Sequence, residues 1–200
     1  MDKSEQKQKI INAAFDLFLE RGIKAVKMDD IASVMGMSKR TLYEIFGTKE
    51  MLLKEVMEKS FRRRDMDMQR YIDDAHGDVL KILASIFHAQ TEMMTTVNPA
   101  FYDDLMSYPD LLSSMDAKQR SRRQYILNFF NQGVNDGIFR PEINYDVLLE
   151  SFSNMASTIV GNKMLTKYTL MDLYNSITLV ILRGIMTNEA LKRLYTDYDI

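Results

Sequence analysis

The sequence predicts an all-α chain, a three-helix helix-turn-helix domain over residues 1–48 followed by a larger helical domain over 49–200. Three observations carry this. Apolar residues recur at i, i+3 and i+4 through most of the chain. No stretch alternates apolar and polar residues long enough for a sheet. Glycine and X-Pro breaks (Gly22, Gly36, Gly47, Gly77, Asn98-Pro99, Tyr108-Pro109, Gly137) fall between the periodic segments rather than inside them.

The first helix is expected over 4–21, with Ile11, Ala14, Phe15, Phe18 and Leu19 inward and Gly22 as its stop. A second short helix follows, with a stripe of Ile31, Ala32, Val34 and Met35. Asp29 and Asp30 stand near its start, where negative charge favours the open N–H groups. Gly36 ends it, because glycine enters the left-handed region at little cost, and Met37 packs back across the turn. Ser38 is a good N-cap for the third helix. Leu42 and Phe46, four apart, face the first helix and Phe18. Lys39, Arg40 and Tyr43 then point outward, and Gly47 closes the helix. Thr48 caps a long fourth helix through MLLKEVMEKSFRRRDMDMQRYI.

Further amphipathic segments are expected near 78–97, 100–107, 110–136, 144–163 and 168–186. Pro99 and Pro109 suit first-turn positions, and Asn144 reads as an N-cap after the turn GVNDGIFRPEIN. The segments 144–163 and 168–186 are taken as the last two helices. One carries Leu148, Phe152, Met155 and Ile159, broadened by Leu149, Ala156 and Val160. The other carries Leu173, Ile177, Val180, Ile181 and Ile185. Small residues at Ser153, Ala156, Ser157 and Gly161 permit close helix approach.

The third helix has the makings of a major-groove reader. Its first turn presents Lys39, Arg40 and Thr41, donors suited to base edges and phosphates. The chain carries a net charge of −2, which by itself argues against a nucleic-acid partner. The distribution reverses that: residues 1–64 hold 14 Lys and Arg against 10 Asp and Glu, and the rest hold 12 against 18. The excess is modest, so affinity is expected to come from two reading heads on one duplex.

Residues 8–53 resemble the DNA-binding domain of the TetR family of transcriptional regulators. The resemblance rests on IINAAFDLFLERG (Ile10–Gly22), on DDIASVMGMSKRTLYEIF (Asp29–Phe46), and on Thr48, Lys49 and Glu50. It implies that Ser38 caps a recognition helix and that Lys39, Arg40 and Thr41 reach base edges or nearby phosphates. It also implies that Tyr43 donates its hydroxyl to the DNA backbone and that Lys49 clamps a phosphate. The chain departs from the family pattern at Val26 and Lys27, where a capping hydroxyl is common; Lys27 offers a phosphate contact instead. It departs again at Glu44 and Ile45. Glu44 facing a duplex would repel phosphate unless it accepts from a cytosine amino group or bridges to a neighbouring cation.

The resemblance also implies a ligand-responsive homodimer, most simply a repressor that binds a palindromic operator and is released by a small apolar or aromatic effector. The alternative is a helix-turn-helix DNA-binding or architectural protein without an effector. Sixteen methionines with ten phenylalanines and ten tyrosines suit an adaptable pocket. Phe87, Met94, Phe101, Tyr102, Tyr125, Phe129 and Met155 lie on helices that line the effector pocket of similar proteins, with Gln90, Thr91, Tyr102 and Tyr125 able to orient a ligand by hydrogen bonding. In such proteins the last helix pair packs against its twofold mate, which points to Phe152, Met155, Ala156, Ile159, Ile177 and Ile181 as the dimer interface.

Other functions lack their signatures. Without cysteines there are no disulfides or thiolate metal sites, and two histidines (His76 and His88) make no His-rich site. No metal and no cofactor is expected. The carboxylate pairs Asp73-Asp74 and Asp103-Asp104 are adjacent in sequence, so on a helix they diverge by about 100° and share no site. There is no phosphate-binding glycine loop and no nucleophile with a paired base, so no enzyme is expected. No apolar run reaches the roughly 18 residues of a membrane span, and MDKSEQKQK is unlike a signal peptide. A cytoplasmic bacterial protein, away from the membrane, is the expectation.

Overall fold

The computed structural model describes residues 3–161 and 164–198; the side chains of 109, 112–121, 153, 156, 157, 160 and 161 lie outside that description. The chain is helical throughout, with no strand among the described residues; Phe139 and Met186 form one isolated antiparallel bridge. It divides into two compact units. Unit 1 joins residues 1–67 with 96–111, and unit 2 joins 68–95 with 112–200.

Unit 1 contains α1 (Lys3–Arg21), α2 (Met28–Val34), α3 (Lys39–Phe46), the first part of α4 (Lys49–Ala75) and α6 (Ala100–Leu105). Its core is Ile10, Ala14, Phe18, Ile23, Ile31, Leu42, Phe46, Leu52 and Leu53, all buried. Ile11 and Ala14 are buried as expected, but Phe15 and Leu19 are only half-buried. Leu17 is buried in addition. Gly22 ends α1 at φ +87° and is packed against Ala100, whose Cβ would lie 3.0 Å from any Cβ added there.

The spatial units differ from the expected 1–48 and 49–200 division. Segment 96–111 folds with the first three helices because its polar groups complete theirs. The Asn98 amide N–H donates to Leu19 O at 2.8 Å and its side chain donates to Glu20 O at 3.1 Å, satisfying carbonyls that the end of α1 leaves open. Asp104 accepts from the Lys24 backbone N–H at 2.6 Å in the loop between α1 and α2.

Unit 2 contains the rest of α4, all but the last residue of α5 (Val79–Thr96), most of α7 (Pro109–Asn135), α8 (Tyr145–Gly161), α9 (Leu170–Leu173), α10 (Leu179–Ile185) and α11 (Asn188–Tyr198). Its core gathers Val79, Leu80, Leu83, Phe87, Phe139, Tyr145, Tyr174, Ile185, Met186 and Leu194. The centre is aromatic: Phe130 stacks on Tyr145 at 4.6 Å, and Phe139 meets Phe129 at 5.9 Å and Phe130 at 5.2 Å. The Tyr145 hydroxyl donates to Arg140 O at 2.7 Å, and Arg140 Nε donates to Met186 O at 2.8 Å, so the turn after α7 is pinned to the end of α10.

Two features of unit 2 differ from the sequence expectation. The segment 168–186 is not one helix: α9 passes through a π-helical turn (Tyr174–Thr178) into α10. Nor is it the last helix, because α11 follows. The Thr187 hydroxyl accepts from the Ala190 N–H at 3.2 Å to start α11, while Ala190 and Leu194 bury its inner face.

Candidate nucleic-acid interface

The geometry of α3 follows from its caps. Ser38 is extended, with φ −72° and ψ 146°, and its Oγ accepts from the Thr41 N–H at 3.1 Å. The two hydroxyls of Ser38 and Thr41 also bond each other at 2.8 Å. Gly36 (φ +62°) makes the sharp turn that separates α2 from α3, and Thr48 Oγ1 accepts from the Met51 N–H at 3.2 Å to start α4. Leu42 and Phe46 are buried as their spacing requires. With that face fixed, the opposite one presents Lys39, Arg40, Tyr43 and Glu44 to solvent.

Each recognition-helix cation has an acidic neighbour. Arg40 Nε donates to Glu44 Oε1 at 2.9 Å along one face of α3, and the Arg40 side chain is 89% exposed. Lys39 Nζ reaches across the turn to both carboxylate oxygens of Asp29 in α2, at 2.8 and 3.0 Å, and lies 6.0 Å from the Tyr43 ring. The hydrogen bond and the charge of Asp29 raise the Lys39 pKa. Tyr43 is 41% exposed, on the same surface. Glu44 thus bridges to a neighbouring cation. The Arg40–Glu44 spacing of four was readable in the sequence; the Asp29–Lys39 link across the turn was not.

Lys27 is exposed just before α2, where its backbone N–H donates to Asp30 Oδ2 at 2.7 Å. That bond is the reciprocal half of a capping box; the Asp30 N–H, which a hydroxyl would have taken, turns back to the Lys27 carbonyl at 3.1 Å. Lys49 is placed otherwise than a phosphate clamp requires. Its ammonium donates to the Ile23 carbonyl and sits 5.9 Å from the Phe18 ring. Burial lowers its pKa, against the opposing pull of Asp104, Glu50 and Asp30. The apolar wall of α1 and an open carbonyl hold Lys49 inward, where it braces the loop after α1.

The expected effector residues divide between the units. Phe101 is buried in unit 1, edge-on to Tyr102 at 5.4 Å. Burial pushes the Tyr102 pKa up to about 12, with Arg64 pulling slightly the other way. Phe87, Gln90, Thr91, Met94, Tyr125, Phe129 and Met155 belong to unit 2. There Phe87 meets Tyr174 edge-on at 5.9 Å, and Met94 and Phe129 pack on the core. Gln90 and Met155 are half-buried, Thr91 is exposed and Tyr125 is 50% exposed. Sequence reasoning missed Tyr174, a buried hydroxyl with no hydrogen-bond partner among the described residues. Of the expected dimer residues, Phe152, Met155, Ile159 and Ile177 are half-buried, Ile181 packs on the core, and the Ala156 side chain lies outside the described residues.

Among the described residues no group of three or more His, Cys, Asp or Glu could hold a metal, and no helix is long and apolar enough to cross a membrane.

A capped, cation-bearing helix set on a short turn defines the class of motif: a helix-turn-helix. Residues 10–56 match the family described as bacterial regulatory proteins, tetR family. The HTH-type transcriptional repressor KstR2 of Mycobacterium tuberculosis is 27% identical over 151 residues, covering 72% of this chain and 74% of the repressor. The fold agrees. The solved structure of the ketosteroid transcriptional regulator KstR2 of Mycobacterium tuberculosis matches with a TM-score of 0.58 at 22% identity, over 94% of this chain and 98% of that one. A TetR-family transcriptional regulator from Agrobacterium tumefaciens matches with a TM-score of 0.70 at 15% identity, over 93% of this chain and all of that one (100%). Residues 10–56 are thus similar to the DNA-binding domain of the TetR family, and the relatives that extend over most of the chain are named as regulators of transcription.

Proposed function

We propose that the chain is a homodimeric repressor that binds a palindromic operator and leaves it on binding a small apolar or aromatic effector. The observation that carries this is the exposed face of α3, where Arg40 and Tyr43 stand one helical turn apart on a helix held by Ser38, Leu42 and Phe46. Two such helices on a twofold axis enter successive major grooves roughly 34–36 Å apart. Lys39 and Thr41 lie on the same helix, and Lys27, exposed at the start of α2, is the proposed phosphate contact. The repressor reading is supported by the KstR2 relative, itself named a transcriptional repressor.

The effector would bind in unit 2, whose core is aromatic around Phe87 and Phe129, with Met94 packed against it. The helix α4 belongs to both units, so a ligand that shifts α4 shifts the reading head. The ligand must bind the released state better than the DNA-bound one, or the equilibrium does not move. Half-buried apolar side chains of α8 and the π turn, among them Phe152, Ile159 and Ile177, are the proposed dimer surface.

The test is a thermal-shift screen of apolar compounds followed by a DNA release assay. A ligand of the native form raises the melting temperature. The proposal expects at least one stabilising compound to dissociate a preformed chain–operator complex. Stable DNA binding that no stabilising compound relieves favours the effector-free alternative.

A further inference from the structure

We propose that the two cations of α3 have divided roles: Arg40, held by Glu44, reads a guanine, and Lys39, tied back to Asp29, reads no base. The inference rests on the DNA-binding reading above and adds which base is recognised and which residue sets the recognition.

A guanidinium is planar, so fixing one edge fixes the plane of the whole group. The Arg40–Glu44 bond is made through Nε, the side of the fork, at 2.9 Å. The bond to Glu44 does not use the two terminal nitrogens, and the side chain is 89% exposed. That end-on pair of donors matches O6 and N7 of guanine, the two acceptors it displays in the major groove. Glu44 is therefore a positioning residue. It holds the arginine in one orientation before DNA arrives, on the same face and one turn along.

Charge supports the same division. A carboxylate on a recognition helix is repelled by phosphate, so Glu44 weakens attraction to every duplex alike. Paired with Arg40, it also cancels most of the sequence-independent pull of that arginine. The pair gives up general affinity for a fixed donor geometry. Lys39 is arranged differently. Its ammonium contacts both oxygens of Asp29, on a different helix, at 2.8 and 3.0 Å, and to reach a base it must release both. Its link joins α2 to α3.

The experiment selects bound duplexes from a random library with the full chain and its variants, then measures affinity against salt on a selected and a random duplex. Wild type is expected to enrich an inverted repeat with a guanine in each half-site. Glu44→Ala lowers the guanine preference by about threefold to tenfold. In the same variant, binding to random duplex tightens and its salt dependence steepens by about one charge per head. Glu44→Gln, whose amide oxygen still accepts from Nε, restores the preference. Arg40→Lys weakens it, because an ammonium reaches the same acceptors without the fixed plane of a fork. Lys39→Ala weakens all sequences by a similar factor. Melting curves report whether each variant is folded, and the Gln variant separates loss of the bond from loss of the charge. Full guanine preference in Glu44→Ala overturns the proposal. So does loss of base preference in Lys39→Ala. A wild-type chain that enriches no duplex overturns the DNA-binding reading itself and this division with it.

Discussion

The ring of Phe139 lies directly against the backbone of Gly133: a Cβ built on Gly133 would fall 2.2 Å from Phe139 Cδ2 and 2.5 Å from Cε2. Gly133 is inside α7, where alanine is ordinarily favoured over glycine by about 1 kcal/mol. The clash reverses that sign, because Phe139 is itself locked between Phe129, Phe130 and Tyr145. Gly133→Ala is expected to destabilise the chain by about 3 kcal/mol or more, the upper end of overpacking costs. Urea unfolding measures it. The double variant Gly133→Ala with Phe139→Leu should lose less than the sum of the two single losses, since the smaller side chain gives room to the new methyl.

Ser38 is the cap on which the orientation of α3 depends. Its Oγ is the acceptor for the Thr41 N–H. Ser38→Ala should cost about 1 kcal/mol in stability, and Ser38→Asp should hold most of it, as any short acceptor at an N-cap does. Thermal melting at neutral pH reports both. Equal losses for Ala and Asp would deny the cap its role.

Asp104 joins α6 to the loop before α2. Its Oδ2 accepts from the Lys24 N–H at 2.6 Å, and its Oδ1 is 3.5 Å from the Lys24 ammonium. The carboxylate is only 13% exposed. Asp104→Ala leaves that backbone N–H without its acceptor and should cost about 1.5–3 kcal/mol, the range for a hydrogen bond to a charged group. Hydrogen exchange should quicken at the Lys24 amide. An unchanged exchange rate there contradicts the assignment.

Tyr174 is 5% exposed and its hydroxyl has no partner in bonding geometry among the described residues; the Thr91 side chain pulls its pKa down against the larger effect of burial. Removing an unsatisfied buried hydroxyl is favourable, so Tyr174→Phe should raise stability by about 1 kcal/mol in the absence of effector. A loss of stability would mean the hydroxyl is bonded in solution.

The same tyrosine and Tyr102 make the protein sensitive to alkali. Burial pushes both pKa values up to about 12, against an ordinary value of 10.0. The folded state therefore favours the neutral phenols. Their contribution is complete below pH 10 and is lost as pH rises toward 12, where the unfolded chain has already released those protons. Spectrophotometric titration should find late-ionising tyrosines, and Tyr102→Phe and Tyr174→Phe should each remove one.

Local chemistry made the helix-turn-helix legible. Gly36, Ser38, Gly47 and Thr48 act within four residues of themselves, and all four do what their side chains dictate. The stripe of Leu42 and Phe46 likewise required only helical spacing. What escaped the sequence depends on distance. Asn98 bonds Leu19 and Glu20, some eighty residues away in the chain. Lys49 looked like a surface cation at a helix start, but the carbonyl that captures it belongs to Ile23. The π turn at Tyr174–Thr178 adds a residue to a helical turn without changing composition, so 168–186 read as continuous. The last helix was readable after all: Thr187 stands as its cap, with Ala190 and Leu194 four apart.

The most direct measurement is fluorescence anisotropy of the full chain on a duplex taken from upstream of its own gene. Wild type is compared with the double variant Arg40→Ala, Tyr43→Phe at matched salt. Two chains per site are expected, with a loss of about 100-fold or more in the variant, from one base contact and one backbone contact removed in each of two heads. Equal binding by the two proteins, with the variant as stable as wild type, would contradict it.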